Sequence, residues 1–142
     1  MTSQSRPRRM PAADPGEAQQ KAIAAAMAVL EAHIAALNAR DEKALVATLH
    51  FPHYRLTGGR MRVWDRPEGY LADFYARAGA DWHHSAWDFR DVIAAGPDKV
   101  HFDVQFTRYR ADGSAIGSYR SLWIVSRVDG RWAAQARSSF AA

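Results

Sequence analysis

The stretch from residue 83 to residue 140, HHSAWDFRDVIAAGPDKVHFDVQFTRYRADGSAIGSYRSLWIVSRVDGRWAAQARSSF, decides the fold. Apolar and polar residues alternate along it with a period of two, the pattern of strands whose successive side chains point to opposite faces. Gly96-Pro97-Asp98, Asp112-Gly113 and Asp129-Gly130 interrupt the pattern, and the two Asp-Gly pairs are typical of tight hairpins. Four β segments are therefore predicted near residues 83–94, 99–110, 115–128 and 131–140. Consecutive hairpins of this kind make an antiparallel meander.

If both Asp-Gly turns are two-residue loops, Ala111 pairs with Ser114 and Val128 with Arg131, which settles the side chains that share a face. One face then collects Val100, Phe102, Val104, Phe106, Tyr119, Trp123, Val125, Trp132, Ala134 and Phe140. The other collects His101, Asp103, Gln105, Tyr109, Arg120, Leu122, Ile124, Gln135 and Arg137. The first face is apolar enough to need a cover. The second mixes aliphatic and polar groups as small-molecule pockets do, although a solvent-facing sheet surface carries the same alternation.

Upstream, the period is helical. From Glu17, the residues Ile23, Met27, Leu30, Ile34 and Leu37 recur at steps of four and three and form one stripe, with His33 beside it. Asp41 is placed to cap a second, shorter helix carrying Leu45 and Leu49. Gly58-Gly59 can turn a small hairpin within 53–64. Asp65, Pro67 and Glu68 then read as the capped start of a third helix, whose face is Leu71, Phe74, Tyr75 and Ala78 and which ends at Gly79. The expectation is an α+β domain over residues 16–142, with three N-terminal helices on a curved antiparallel sheet enclosing a pocket. Residues 1–15 are expected to be a disordered tail.

The 142 residues suit one domain, and 48% hydrophobic with 24% charged residues matches a globular chain with a real core. Part of the net charge of +4 belongs to Arg6, Arg8 and Arg9, and the remaining basic residues are scattered, so a nucleic-acid partner is not expected. The absence of cysteine excludes disulfides and thiolate chemistry and suits a cytoplasmic protein. Ala22–Leu30 is a short apolar run and no stretch approaches the roughly 18 to 20 apolar residues of a membrane span, so no membrane partner is expected.

The order of helices, early hairpin, further helix and long meander ends in Asp129-Gly130-Arg131-Trp132 with Ser138-Ser139-Phe140. Over about residues 17–140 it resembles the nuclear transport factor two-like superfamily, which includes ketosteroid isomerases, SnoaL-type polyketide cyclases, scytalone dehydratase and limonene epoxide hydrolase. The resemblance implies a cone-shaped α+β roll, usually a homodimer through the sheet. By the alternation of the isomerase-like members it also implies that Leu122, Ile124, Gln135 and Arg137 face the pocket, with the aromatic face against a partner. Hydrophobicity alone puts the helices on the aromatic face, and one β-bulge would exchange the two. The expectation here follows the family alternation.

The isomerase branch needs a carboxylate base just after the second helix, and no Asp or Glu occurs from Lys43 through Trp64. That segment holds His50, His53, Tyr54 and Arg55 instead, and histidine titrates near neutral pH. His53 and His101, with Asp103 to orient an imidazole, form the candidate catalytic set. Arg55, His84, Gln135 and Arg137 are the candidate ligand-binding residues, the arginines favouring an anionic or carbonyl-bearing ligand. The expected function is a small-molecule pocket of a His-based cyclase, dehydratase or isomerase. The alternative is a non-catalytic ligand-binding or dimerisation module. Neither a metal motif nor a phosphate loop or dinucleotide fingerprint occurs, so no metal and no cofactor are expected.

Overall fold

The alternating stretch becomes four strands close to the predicted ones: β3 His84–Ala95, β4 Lys99–Tyr109, β5 Ala115–Val128 and β6 Arg131–Ser139. They are preceded by α1 Glu17–Ala39, α2 Glu42–Val46, β1 Leu49–Thr57, β2 Arg60–Trp64 and α3 Tyr70–Ala78. The computed structural model describes residues 16–142, so the tail expected for residues 1–15 lies outside the described residues. The six strands form one sheet in the order β2-β1-β6-β5-β4-β3. Its pairings are antiparallel except that β1 runs parallel to β6, which corrects the expectation of a purely antiparallel sheet. β1 has a hairpin partner only in β2, and its free edge is satisfied by the last strand of the meander.

Both ends of the turn chemistry can be checked. Asp129 and Gly130 have positive φ and connect Val128 to Arg131 directly, and Gly58-Gly59 does the same between Thr57 and Arg60. Asp112-Gly113 behaves otherwise. Arg110 pairs with Ser114 around a longer loop, and a bulge at the start of β5 then restores the predicted register from Arg108–Gly117 onward. The faces of β4 and β5 are therefore those read from the sequence.

What differs is the side of the sheet that the helices cover. α1 packs on the aromatic face, where Val100, Phe102, Val104, Trp123, Val125 and Ala134 are buried, while Leu122 on the reverse is half exposed. The family-based assignment of the mixed face to the pocket is thus corrected. The burial of several large apolar side chains, worth about 1.5–3 kcal/mol each, decides the matter. β6 nevertheless contributes to both faces, because its register slips by one between Val125–Ala134 and Ile124–Ala136. Gln135 is the extra, bulged residue. Beyond it Arg137 pairs with Trp123 and Ser139 with Ser121, so both turn to the covered face.

The buried stripe of α1 is also rotated from the predicted one. Ala22, Ala26, Val29, Leu30, His33, Ala36 and Leu37 are buried, and Ile23 and Met27 lie at its edge. Alanines let the helix approach the large rings below it, so the smallest side chains take the centre. The same alanine richness makes α1 long and apolar enough to cross a membrane by length and composition, contrary to the reading from sequence, although one face of it is occupied by the sheet. Asp41 caps α2 as expected, accepting from Ala44 N at 3.1 Å. Asp65 does not cap α3, which starts at Tyr70 after Gly69 in the left-handed conformation.

Neighbouring residues of β4 provide a test of which face is covered. Phe102→Ala is expected to cost about 3–5 kcal/mol in urea unfolding. Asp103→Ala, which removes an exposed ion pair with Arg120, is expected to cost about 1 kcal/mol or less. The reverse order of the two costs would contradict the assignment.

Candidate functional site

Where α1 crosses the strongly curved sheet, the rings do not fill the space, and a cavity of about 40 Å³ remains. By the same measure a single water needs about 10–15 Å³, so the hollow admits a few waters or a very small ligand. α1 contributes His33, Ile34 and Leu37, α3 contributes Tyr70, Phe74 and Arg77, and the strands supply the rest, including Arg55, Trp87, Arg108, Ser121, Trp123, Arg137 and Ser139.

Four arginines, Arg55, Arg77, Arg108 and Arg137, therefore line one small space, and among the described residues no Asp or Glu side chain lines it. Asp73 is adjacent but committed, accepting from Arg77 Nε at 2.7 Å and from Arg62 at 3.0 Å, and these two guanidiniums hold its carboxyl below the usual range against the opposing effect of burial. Oxygens of the last two residues take part of the load. Arg55 donates to Ala141 O at 3.0 Å, Ala142 O accepts from Arg108 at 3.0 Å and from Arg77 at 3.3 Å, and Arg137 donates to the Tyr70 hydroxyl. Aromatic faces take more. Arg137 lies 4.9 Å from the Trp123 ring centre, and Arg108 lies 5.2–5.4 Å from those of Tyr119 and Phe74. Among the described residues, no acceptor reaches the buried Nε–H groups of Arg55, Arg108 and Arg137 or Trp123 Nε1. Burial, with mutual repulsion behind it, makes the charged form of all three arginines harder to hold than usual.

Two histidines flank this cluster. His33 is buried, packs edge-on against Trp123 at 4.9 Å and has Nδ1 2.8 Å from Thr48 Oγ1. His53 is fully buried behind Tyr70, with Nδ1 donating to Ala134 O at 3.1 Å and Nε2 without a partner among the described residues. Burial, and then the Arg137 charge, pushes both imidazoles well below their ordinary range, His53 to about 3. Both are neutral at pH 7.

Of the residues singled out from the sequence, the structure brings Arg55 and Arg137 together on the cavity and sets His53 next to it. The expected grouping of His53 with His101 and Asp103 is not assembled. His101 pairs with Ile124 on the uncovered face, and Asp103 beside it receives Arg120 in a two-oxygen ion pair. His84 also lies off the cavity, stacked on Tyr109 at 4.9 Å and bonded to His83, because its neighbours Ser85 and Trp87 hold the inward positions. Gln135, at the bulge, donates to Pro52 O on the outside. Sequence reasoning missed His33, Tyr70 and Arg108. The signal for His33 was its spacing of three and four from Val29, Leu30, Ala36 and Leu37, once alanine is allowed into the buried stripe. Among the described residues, no three His, Cys, Asp or Glu side chains come together to hold a metal ion.

The buried neutral histidines have a consequence for stability. In the unfolded chain they protonate near pH 6.5, whereas in the folded protein His53 stays neutral until about pH 3. Across that window the unfolded state binds more protons, so stability must fall as pH falls. Urea unfolding between pH 7 and pH 4 is expected to lose up to about 1.4 kcal/mol per pH unit for each such ring. His53→Gln should flatten that slope by the contribution of one proton, and an unchanged slope would contradict the assignment.

No family model matches the sequence, and no curated protein matches it. Solved structures do match. An NTF-2 like protein of unknown function from Shewanella oneidensis MR-1 superposes with a TM-score of 0.68 at 12% identity, over 84% of this chain and 98% of that one. A ketosteroid isomerase-like protein from Erwinia carotovora atroseptica SCRI1043 gives 0.61 at 20% identity, over 83% and 94%. The hexachlorocyclohexane dehydrochlorinase LinA-type3 from Novosphingobium barchaimii LL02 gives 0.65 at 17% identity, over 87% and 88%. At these identities the likeness is one of architecture, and by architecture the chain has the nuclear transport factor two-like fold.

Proposed function

We propose that the protein takes a small anionic organic molecule, held by its carboxylate, into the arginine-lined cavity and acts on it as a cyclase, dehydratase or isomerase. One observation carries this reading: four arginines line a cavity that no Asp or Glu side chain among the described residues lines, and the buried Nε–H groups of three of them find no acceptor among those residues. Leaving a buried donor unpaired costs about 1–3 kcal/mol, and more where the group is charged. A chain that needed these arginines only for its fold would be better served by apolar side chains of similar volume. A carboxylate supplies two oxygens in the geometry that a guanidinium matches, and its charge offsets the repulsion among the four cations. Trp87, Phe106 and Trp123 provide the dry wall that strengthens such contacts. The fold neighbours described as isomerase-like and as a dehydrochlorinase support the reaction class at the level of architecture.

Arg137→Met separates a binding role from a structural one. The variant is expected to raise the urea midpoint of the ligand-free protein, since it replaces a cation held with an unpaired donor by a side chain that suits the rings. It is also expected to weaken acetate binding, measured by isothermal titration calorimetry on the wild type and the variant, by about 10-fold to 100-fold. That range corresponds to one lost charge-assisted hydrogen bond. Acetamide, which is neutral, should bind neither protein. A destabilised variant that binds acetate as the wild type does would contradict the reading.

A further inference from the structure

We propose that His33 is the base of this pocket, taking a proton through Nε2 from the carbon next to the carbonyl of a small 2-oxo carboxylate. The inference rests on the anion-pocket reading and adds to it the reacting group and the substrate class.

The hydroxyl of Thr48 fixes the tautomer of His33. That hydroxyl has one hydrogen, and the 2.6 Å contact to Leu45 O uses it, because a carbonyl can only accept. Thr48 Oγ1 must then accept at its other contact, so the 2.8 Å partner His33 Nδ1 carries the proton. The ring is neutral, which leaves Nε2 as a bare lone pair. Thr48 is not part of the cavity wall whereas His33 is, so the edge that His33 offers to the cavity is the one bearing Nε2. No hydrogen bond reaches that nitrogen from the described residues. His53 has the same tautomer, with Nδ1 donating to Ala134 O, but it is fully buried behind Tyr70 and does not line the cavity. His33 is therefore the accessible base of the two.

The acceptor of negative charge lies within the same walls. Tyr70 accepts from Arg137 through its hydroxyl oxygen, and its own proton has no acceptor among the described residues. That O–H, polarised by the guanidinium behind it, is suited to an oxyanion. Arg55 and Arg108, which line the same cavity, supply further positive charge for the carboxylate. With these parts the step balances. Nε2 takes the proton as the C–H bond breaks, and the C–H electron pair becomes a C=C bond. The carbonyl π pair moves to oxygen, where Tyr70 and Arg137 hold it. The imidazolium then returns a proton to carbon, so that no oxidant or co-reactant is needed. A ligand carrying a carbonyl beside its carboxylate puts the oxyanion and the anchored charge one bond apart, which suits so small a cavity.

Pyruvate is the probe, and exchange of its methyl protons in D₂O, followed by proton NMR, is the reaction read. The wild-type protein is expected to accelerate the loss of the methyl signal. His33→Gln should lower that acceleration by about 100-fold or more, in the range of general-base catalysis, while pyruvate affinity by calorimetry stays within about threefold. Nitrogen-15 NMR of the wild-type histidines requires no ligand and no variant, and it should report His33 as the Nδ1–H tautomer at pH 7. Exchange that survives in His33→Gln, pyruvate binding without exchange, or a protonated Nε2 would each overturn the proposal while leaving the anion pocket intact. If pyruvate and acetate both failed to bind the wild-type protein, the anion pocket itself would fall and this proposal with it.

Discussion

The bulge at Gln135 is the constraint on which the rest of the site depends. A strand that kept the two-residue period from Arg131 to Ser139 would turn Arg137 outward, to stand beside Leu122 and the Asp103–Arg120 ion pair. One extra residue reverses the last third of β6 and puts Arg137 opposite Trp123, beneath α1 and against Tyr70. Without that reversal the cavity would be an apolar gap between a helix and a ring-covered sheet, with Arg55 and Arg108 at its margin. With it, the cavity has a positive centre.

A positive centre under a helix is expensive, and the surroundings are arranged to tolerate it without neutralising it. Rings and backbone carbonyls take up part of each guanidinium, and the nearby carboxylate of Asp73 is directed to Arg77 and Arg62. Both histidines at the edge are kept uncharged by burial and by Arg137, so they add no further repulsion. Charge, donor supply and basicity thus follow from a few packing decisions: an alanine face on α1 that approaches closely, a fully buried His53 behind Tyr70, and the slip in β6.

Much of the fold was legible from residue order. The meander, the Asp129-Gly130 turn, the Gly58-Gly59 hairpin and the Asp41 cap are local effects with local signatures, and the boundaries of the four meander strands lie within a residue or two of those read from the pattern, whereas β1 begins at Leu49, a residue read as part of the second helix. The site was legible only in part. Arg55 and Arg137 were identified as residue types suited to an anion, but the covered face was assigned by analogy and the burial of the large apolar side chains decided otherwise; Arg137 still reaches the cavity, through a bulge at Gln135 that has no sequence signature here. His101 and Asp103 share a face with each other, as the alternation required, yet that face is the uncovered one. His33 was passed over because large apolar residues were taken as the guide to the buried side of α1, whereas alanines occupy its middle. Asp65-Arg66-Pro67-Glu68 has the composition of a helix start but precedes it, because Gly69 takes the left-handed conformation from which α3 departs.

Arg55, Arg108 and Arg137, whose buried Nε–H groups have no acceptor among the described residues, are the groups proposed to hold an anion. Proton–nitrogen correlation NMR of the arginine side chains during a formate titration observes those groups directly. The account predicts that these three resonances, protected from exchange with water, shift together along one saturable curve while those of surface arginines stay in place. Three resonances that exchange as freely as the surface ones and do not respond to formate would contradict it.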